Sequence, residues 1–119
     1  MIRVIYHLLA KSDWNPKDPG PFRAKSLDEE GFIHCANQNQ LETIANFFYR
    51  EVEDLLALSI NADALGDLLK DESSEVPSEW KQLPEMNGPF PHVYGPIPRS
   101  AIVDVLHLRR DDENQWRLF

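Results

Sequence analysis

Apolar positions along the chain fall into short runs with two different periods. Between Ile2 and Leu9 only Arg3 and His7 interrupt an apolar or aromatic stretch. Ile2, Val4, Tyr6 and Leu8 would share one face of a strand there, and Ile5, His7 and Leu9 the other, as in a strand covered on both sides. Phe32-Ile33-His34-Cys35-Ala36, after Gly31, reads as a second short buried strand. Phe32, His34 and Ala36 share one of its faces, and Ile33 and Cys35 the other. The clearest helix follows. Asn37 is a good N-cap, Gln40 completes a capping-box pattern, and Leu41, Ile44, Ala45, Phe48 and Val52 recur at helical steps, which predicts a helix over residues 38–51.

Further on, residues 55–60 and 101–108 are apolar runs of strand length, and residues 62–69, broken by Gly66, read as a turn or short helix. Pro16, Pro19, Gly20 and Pro21 stop any helix beyond a turn at Ser12–Trp14, after which residues 22–27 would return the chain to the sheet. Residues 71–88 are rich in acids, serines and prolines, with Trp80, Leu83 and Met86 as apolar anchors, and read as a long loop that could close over a site. Phe90-Pro91-His92-Val93-Tyr94-Gly95-Pro96 sets a histidine among aromatics and prolines. A turn at Asp111–Asn114 would let residues 115–119 pair back as an edge strand. With one main helix among so many strands, the fold class is α+β, a mixed or antiparallel sheet with the helix against it.

At 119 residues the chain makes a single domain, 1–119. Twenty acids against 12 bases give a net charge of −8, which argues against nucleic acid as a partner, because phosphate backbones need clustered Lys and Arg. One small anionic ligand held by an arginine is still permitted. The lone Cys35 forms no internal disulfide and needs no oxidising compartment. No stretch reaches membrane-spanning length and the amino terminus does not read as a signal peptide, so a cytoplasmic protein is expected.

The candidate chemistry lies in His7, His34 and His92, three imidazoles in apolar or aromatic settings on separate segments. Taken singly, each is most simply a core histidine satisfied by a carbonyl. A metal site is not expected, since no His-x-x-x-His or Cys-x-x-Cys spacing occurs and Cys35 faces away from its neighbour His34. A Cys35–His nucleophile pair would need an exposed thiol, whereas Ile33 and Ala36 suggest a buried one. Glu29 and Glu30 read as solvated turn residues, and the acids of residues 71–88 as a charged surface.

Tyr6-His7-Leu8, Ser26-Leu27, Glu30-Gly31-Phe32-Ile33-His34-Cys35-Ala36, Gln40, Ala45-Asn46-Phe47-Phe48 and Phe90-Pro91-His92-Val93-Tyr94-Gly95-Pro96 together resemble a bacterial family of unknown function, numbered 952. The resemblance implies a small ADP-ribosyltransferase-like fold, a split and bent sheet that clasps nicotinamide dinucleotide. It implies His7 on the ribose and His34 at the nicotinamide pocket. The later-strand glutamate of that fold has no match, because the segment 90–96 holds His92 and Tyr94 and no acid. His7, His34, His92 and Tyr94 are therefore the expected catalytic residues, with His92 as acid or base. Trp14, Arg23, Ser26 and Phe90 are the expected ligand contacts, Arg23 meeting a phosphate. No resident cofactor is required; NAD or a related nucleotide-like molecule is the expected ligand, and ADP-ribose or a related group the cargo. The alternative is a binding module or partner subunit that keeps the fold without the chemistry.

Overall fold

In the structure, a computed structural model that describes residues 2–118, the apolar runs build two three-stranded antiparallel sheets and a two-stranded ribbon. The first sheet places β3 (Leu55–Asn61) between β1 (Val4–Ala10) and β6 (Ile102–His107). The second places β5 (Phe90–Val93) between β2 (Ile33–His34) and β4 (Leu69–Glu72). β7 (Arg109–Arg110) and β8 (Trp116–Arg117) form the ribbon, and α1 (Lys25–Glu30) and α2 (Gln38–Phe48) are the α-helices.

β3 is apolar from Leu55 to Ile60 but for the buried Ser59, because both its edges are paired and both its faces covered. Leu55 and Ala57 pack with Leu8, Leu41 and Ala45 under α2. Leu56, Leu58 and Ile60 pack with Ile33 and Val93 of the second sheet and with Cys35 and Ile97, which follow its strands β2 and β5. The two sheets meet edge to edge at one bridge, Tyr6 with Ala36, through N–H···O bonds of 2.9 and 2.8 Å.

The start of α2 agrees with its capping box: the Gln40 side chain accepts from the Asn37 N–H at 2.9 Å. Its own amide then donates to the carbonyls of Glu85 and Pro89, tying the helix to the segment before β5. The helix ends at Phe48 rather than at residue 51. The following carbonyls are claimed from outside: Trp116 Nε1 donates to Tyr49, and Arg110 donates to Arg50 and Val52. Trp116 is itself sandwiched by the Arg110 guanidinium, 3.9 Å above its ring. The expected terminal edge strand is thus the short β8; Phe119 lies outside the described residues.

Residues 22–27 come back only at Phe22, through a single bridge to Ile97, and residues 25–30 are α1, closed by Gly31 at φ 90°. One expectation is corrected: residues 71–88 do not begin as a loop, since Asp71 and Glu72 finish β4 against β5, and two short 3₁₀ turns follow. The turn before β4 is a 3₁₀ segment over Ala62–Leu68, kinked at Gly66. Among the described residues no helix is long and apolar enough to cross a membrane.

Candidate functional site

The second sheet turns Ile33 and Val93 into the core, so its opposite face carries the polar chemistry. His34 pairs with His92 across β2 and β5, and Glu72 stands opposite Phe90 across β4 and β5. The alternation that buries Ile33 therefore puts Phe32, His34, His92 and Tyr94 together. Phe32 stacks on His92 with ring centroids 4.2 Å apart and planes at 26°, and the His34 ring stands edge-on to His92 at 5.7 Å. Tyr94 packs against Phe32 with ring centroids 5.4 Å apart.

Glu72 completes this cluster. Its Oε1 lies 2.8 Å from His92 Nδ1 and also accepts from the Tyr94 hydroxyl. Those two bonds, the tyrosine's first, hold its carboxyl below the usual carboxylate range, and the same bond pushes the Tyr94 hydroxyl up. An ionised carboxylate only accepts, so Nδ1 carries a proton, and Nε2 is the ring nitrogen turned towards Ser74. Ser74 Oγ is 3.4 Å from that Nε2. His92 is only 4% exposed, while His34 looks outward, its Nε2 bonded to Glu30 at 3.0 Å.

His34 and His92 border a cleft of about 490 Å³. Tyr6, Leu8, Ala36, Ile44, Phe48, Tyr49 and Phe90 line it with them. Residues Ser74–Pro77 and Trp80 complete the lining, so the expected loop forms part of the cleft wall. Trp80, Met86 and Phe90 pack together against Ile44, which anchors that segment. No Lys or Arg lines the cleft, and Glu75 does. A larger, more open hollow of about 810 Å³ lies along the outer side of α2. It holds no histidine, and its Arg117 is occupied by Glu42 and Asp111, so the chemistry belongs to the smaller cleft.

Of the eight residues expected at a site, His34, His92 and Phe90 line this cleft, and Tyr94 joins through Glu72. His7 does not. It stands opposite Leu58 and so faces the core between the sheets, away from Tyr6 and Leu8. There it lies 5.3 Å from Phe22, and its Nδ1 donates to the His34 carbonyl at 2.7 Å. Burial lowers its pKa to about 4, the carbonyl bond opposing that and the nearby His34 adding to it. His7 is a neutral fastener of β1 to β2. Trp14 packs on Phe22 under the Arg99 guanidinium, which lies 4.4 Å above its ring. Arg23 is exposed and paired with Asp28 at 2.6 Å, and Ser26 sits in α1; none of these three lines the cleft.

Cys35 reaches the edge of the cleft but is buried, which pushes its thiol up to about 12. Among the described residues no three of His, Cys, Asp and Glu group to hold a metal ion. Glu72, Ser74 and Glu30 carry no mark in the sequence that separates them from solvated surface residues. The one available signal was the period-two alternation of Lys70 and Glu72, hidden inside an acid-rich stretch.

No curated protein matches the chain. Among solved structures it is similar to the crystal structure of protein CC0527 from Caulobacter crescentus: 26% identity, 97% of this chain and 94% of that one covered, TM-score 0.75. The solution NMR structure of CC0527 is similar at 27% identity and TM-score 0.75, covering 97% of this chain and 92% of the other. The family model described as "Protein of unknown function (DUF952)" matches residues 8–105, a span that takes in the strands and helices on both sides of the cleft, and the chain belongs to that family.

Proposed function

We infer that the protein is an ADP-ribosyltransferase-like enzyme whose cleft takes the nicotinamide end of NAD or a related nucleotide-like ligand, and whose Glu72–His92 pair handles the proton during transfer of ADP-ribose or a related group. The observation that carries this reading is the Glu72 carboxylate 2.8 Å from Nδ1 of His92, a histidine that lines a mainly apolar cleft. Segment 90–96 lacks the glutamate such a transferase uses, and Glu72 supplies one from the neighbouring strand. Two three-stranded sheets meeting at a single bridge support the split-sheet fold that the sequence resemblance implies.

In this reading the flat ring enters beside Phe90 and Trp80, and the carboxylate side of the cleft stabilises the positive charge that develops on the ribose. His92 Nε2 takes the acceptor's proton, with Nδ1–H held by Glu72. The outward-facing His34 orients a ribose hydroxyl through its unused Nδ1. Phosphates would lie outside the cleft, since no cation lines it. A bacterial, cytoplasmic setting fits the single buried thiol and the source of the similar structures.

The absence of Lys and Arg from the cleft lining also favours a second reading, a module that binds without turning over. One experiment separates them. NAD, ADP-ribose and nicotinamide are each added to the protein in a thermal-shift series, with nicotinamide release followed chromatographically. A ligand at a hundredfold excess over its Kd adds about 2.7 kcal/mol of stability. A shift with release that is lost in Glu72→Gln supports the transferase. A shift without release supports the binding module. No shift for any of the three overturns both.

A further inference from the structure

Ser74, His92 and Glu72 lie in line. Ser74 Oγ is 3.4 Å from His92 Nε2, and His92 Nδ1 is 2.8 Å from Glu72 Oε1. Each link has a chemical direction. The carboxylate can only accept, so it holds a proton on Nδ1, and in the tautomer with that proton alone the Nε2 lone pair faces the serine hydroxyl. Phe32 stacked on the imidazole and Tyr94 bonded to the same carboxylate fix the orientation of both partners. A base held by an acid, reaching a hydroxyl at the rim of a cleft, is the arrangement that activates serine for covalent catalysis. Contacts of this kind are commonly long before substrate binds and shorten when it does.

We propose that Ser74 is a nucleophile for acyl transfer, acting on small uncharged esters whose apolar acyl group fills the cleft. The substrate class follows from the lining. Leu8, Ala36, Ile44, Phe48, Val76 and Trp80 suit an apolar group, and a carboxylate or phosphate would meet Glu75 with no Lys or Arg to offset it. Among the described residues, the N–H groups of Ser74 and Glu75 donate to no backbone carbonyl, which leaves hydrogen-bond donors in the segment that carries the nucleophile. In the first half-reaction Ser74 Oγ attacks the ester carbonyl and its proton passes to His92 Nε2. The tetrahedral intermediate collapses, the carbon–oxygen bond to the alkoxy group breaks, and that group leaves as the alcohol with the proton from Nε2. Water then repeats the sequence on the acyl-serine, giving the carboxylic acid and free Ser74.

This activity uses the imidazole–carboxylate pair of the ribosyl reading but asks nothing of NAD, so the two can fail separately. The test is covalent labelling with a fluorophosphonate, which reacts only with an activated serine: Oγ displaces fluoride and the proton passes to the imidazole. The whole chain is incubated with the probe, and the site and rate of labelling are read by mass spectrometry. Labelling at Ser74, abolished in Ser74→Ala, unchanged in Ser73→Ala and slowed about a hundredfold in His92→Gln, is expected from the size of general-base assistance. Circular dichroism on each variant separates lost labelling from lost folding. Glu72→Gln, which keeps a hydrogen-bond acceptor beside Nδ1, serves as the second probe of the relay and should slow labelling at least tenfold. No labelling of wild type, or labelling at Ser74 that is indifferent to both Glu72→Gln and a folded His92→Gln, overturns the proposal.

Discussion

The placement of His7 in the core predicts a pH dependence of stability that can be worked through. Burial holds its folded-state pKa at about 4, against about 6.5 for the same side chain in the unfolded chain. Between those values the unfolded chain binds a proton that the folded protein refuses, so the unfolded state gains with every step towards acid. The stability His7 contributes is therefore present above about pH 6.5 and is lost as pH falls towards 4. At about 1.4 kcal/mol per pH unit across the shifted range, the loss from pH 7 to pH 5 comes to about 2 kcal/mol. That interval lies above the ordinary range of carboxylates. The acids held low, Glu72, Asp71 and Asp111, therefore add their own loss only further down.

The assay is urea unfolding of wild type and His7→Asn at pH 7 and pH 5. Asparagine keeps a donor near the position of Nδ1, so the bond to the His34 carbonyl can survive. The lost packing on Phe22 lowers stability by a similar amount at both pH values. His34, His92 and His107 are present in both proteins and cancel in the comparison. Wild type should lose about 2 kcal/mol more than the variant between the two pH values. Parallel losses, within about 0.5 kcal/mol, would refute the placement of His7 as a buried neutral group and reopen it as a solvent-facing site residue.

Two further outcomes follow from the same coordinates. Cys35, buried with its thiol pushed up to about 12, should resist iodoacetamide at pH 8 in the native protein and react fully in urea; rapid native alkylation would contradict its burial. Gly66 holds φ 55° and ψ −129°, a conformation strained for any residue with a Cβ, so Gly66→Ala should lower stability by about 1–3 kcal/mol in urea unfolding although nothing lies within 4 Å of the added carbon.

The regular elements were legible because their periods were clean. β1 and β3 announce themselves through nearly continuous apolar runs, and α2 through helical steps. Two of the site histidines could be grouped on the same logic, since Phe32 with His34 and His92 with Tyr94 are each two residues apart. What alternation leaves open is which face of a strand meets the cleft. β1 is apolar on both faces, so nothing local told His7 from Tyr6, and the face that lines the cleft is the tyrosine's. Glu72 was hidden for a different reason. Its role depends on β4 pairing with β5 in the register that sets Lys70 beside His92, a contact between segments about twenty residues apart that no local pattern encodes. α1 escaped because it is one and a half turns long, with no side-chain cap and no buried residue to give it a stripe.

The distribution of charge around the cleft ties these features to the choice of ligand. The chain carries an excess of eight negative charges, and part of it is brought to this edge: Glu75 lines the cleft from the segment that follows β4, Glu72 at the end of β4 bonds to His92, and Glu30 at the end of α1 bonds to His34. These carboxylates repel a phosphate in the cleft, the more weakly where they meet water. The same carboxylates favour a ring or a reacting carbon that carries positive charge. Oxidised nicotinamide is cationic, and so is the ribosyl centre as its bond to the ring breaks. An acidic cleft edge is thus at odds with a nucleotide held by its phosphates and consistent with one held by its ring, with the pyrophosphate left in solvent. Neutral esters escape that penalty, so Ser74 chemistry and ribosyl chemistry can both be asked of one cleft and told apart by covalent labelling of the serine and by nicotinamide release.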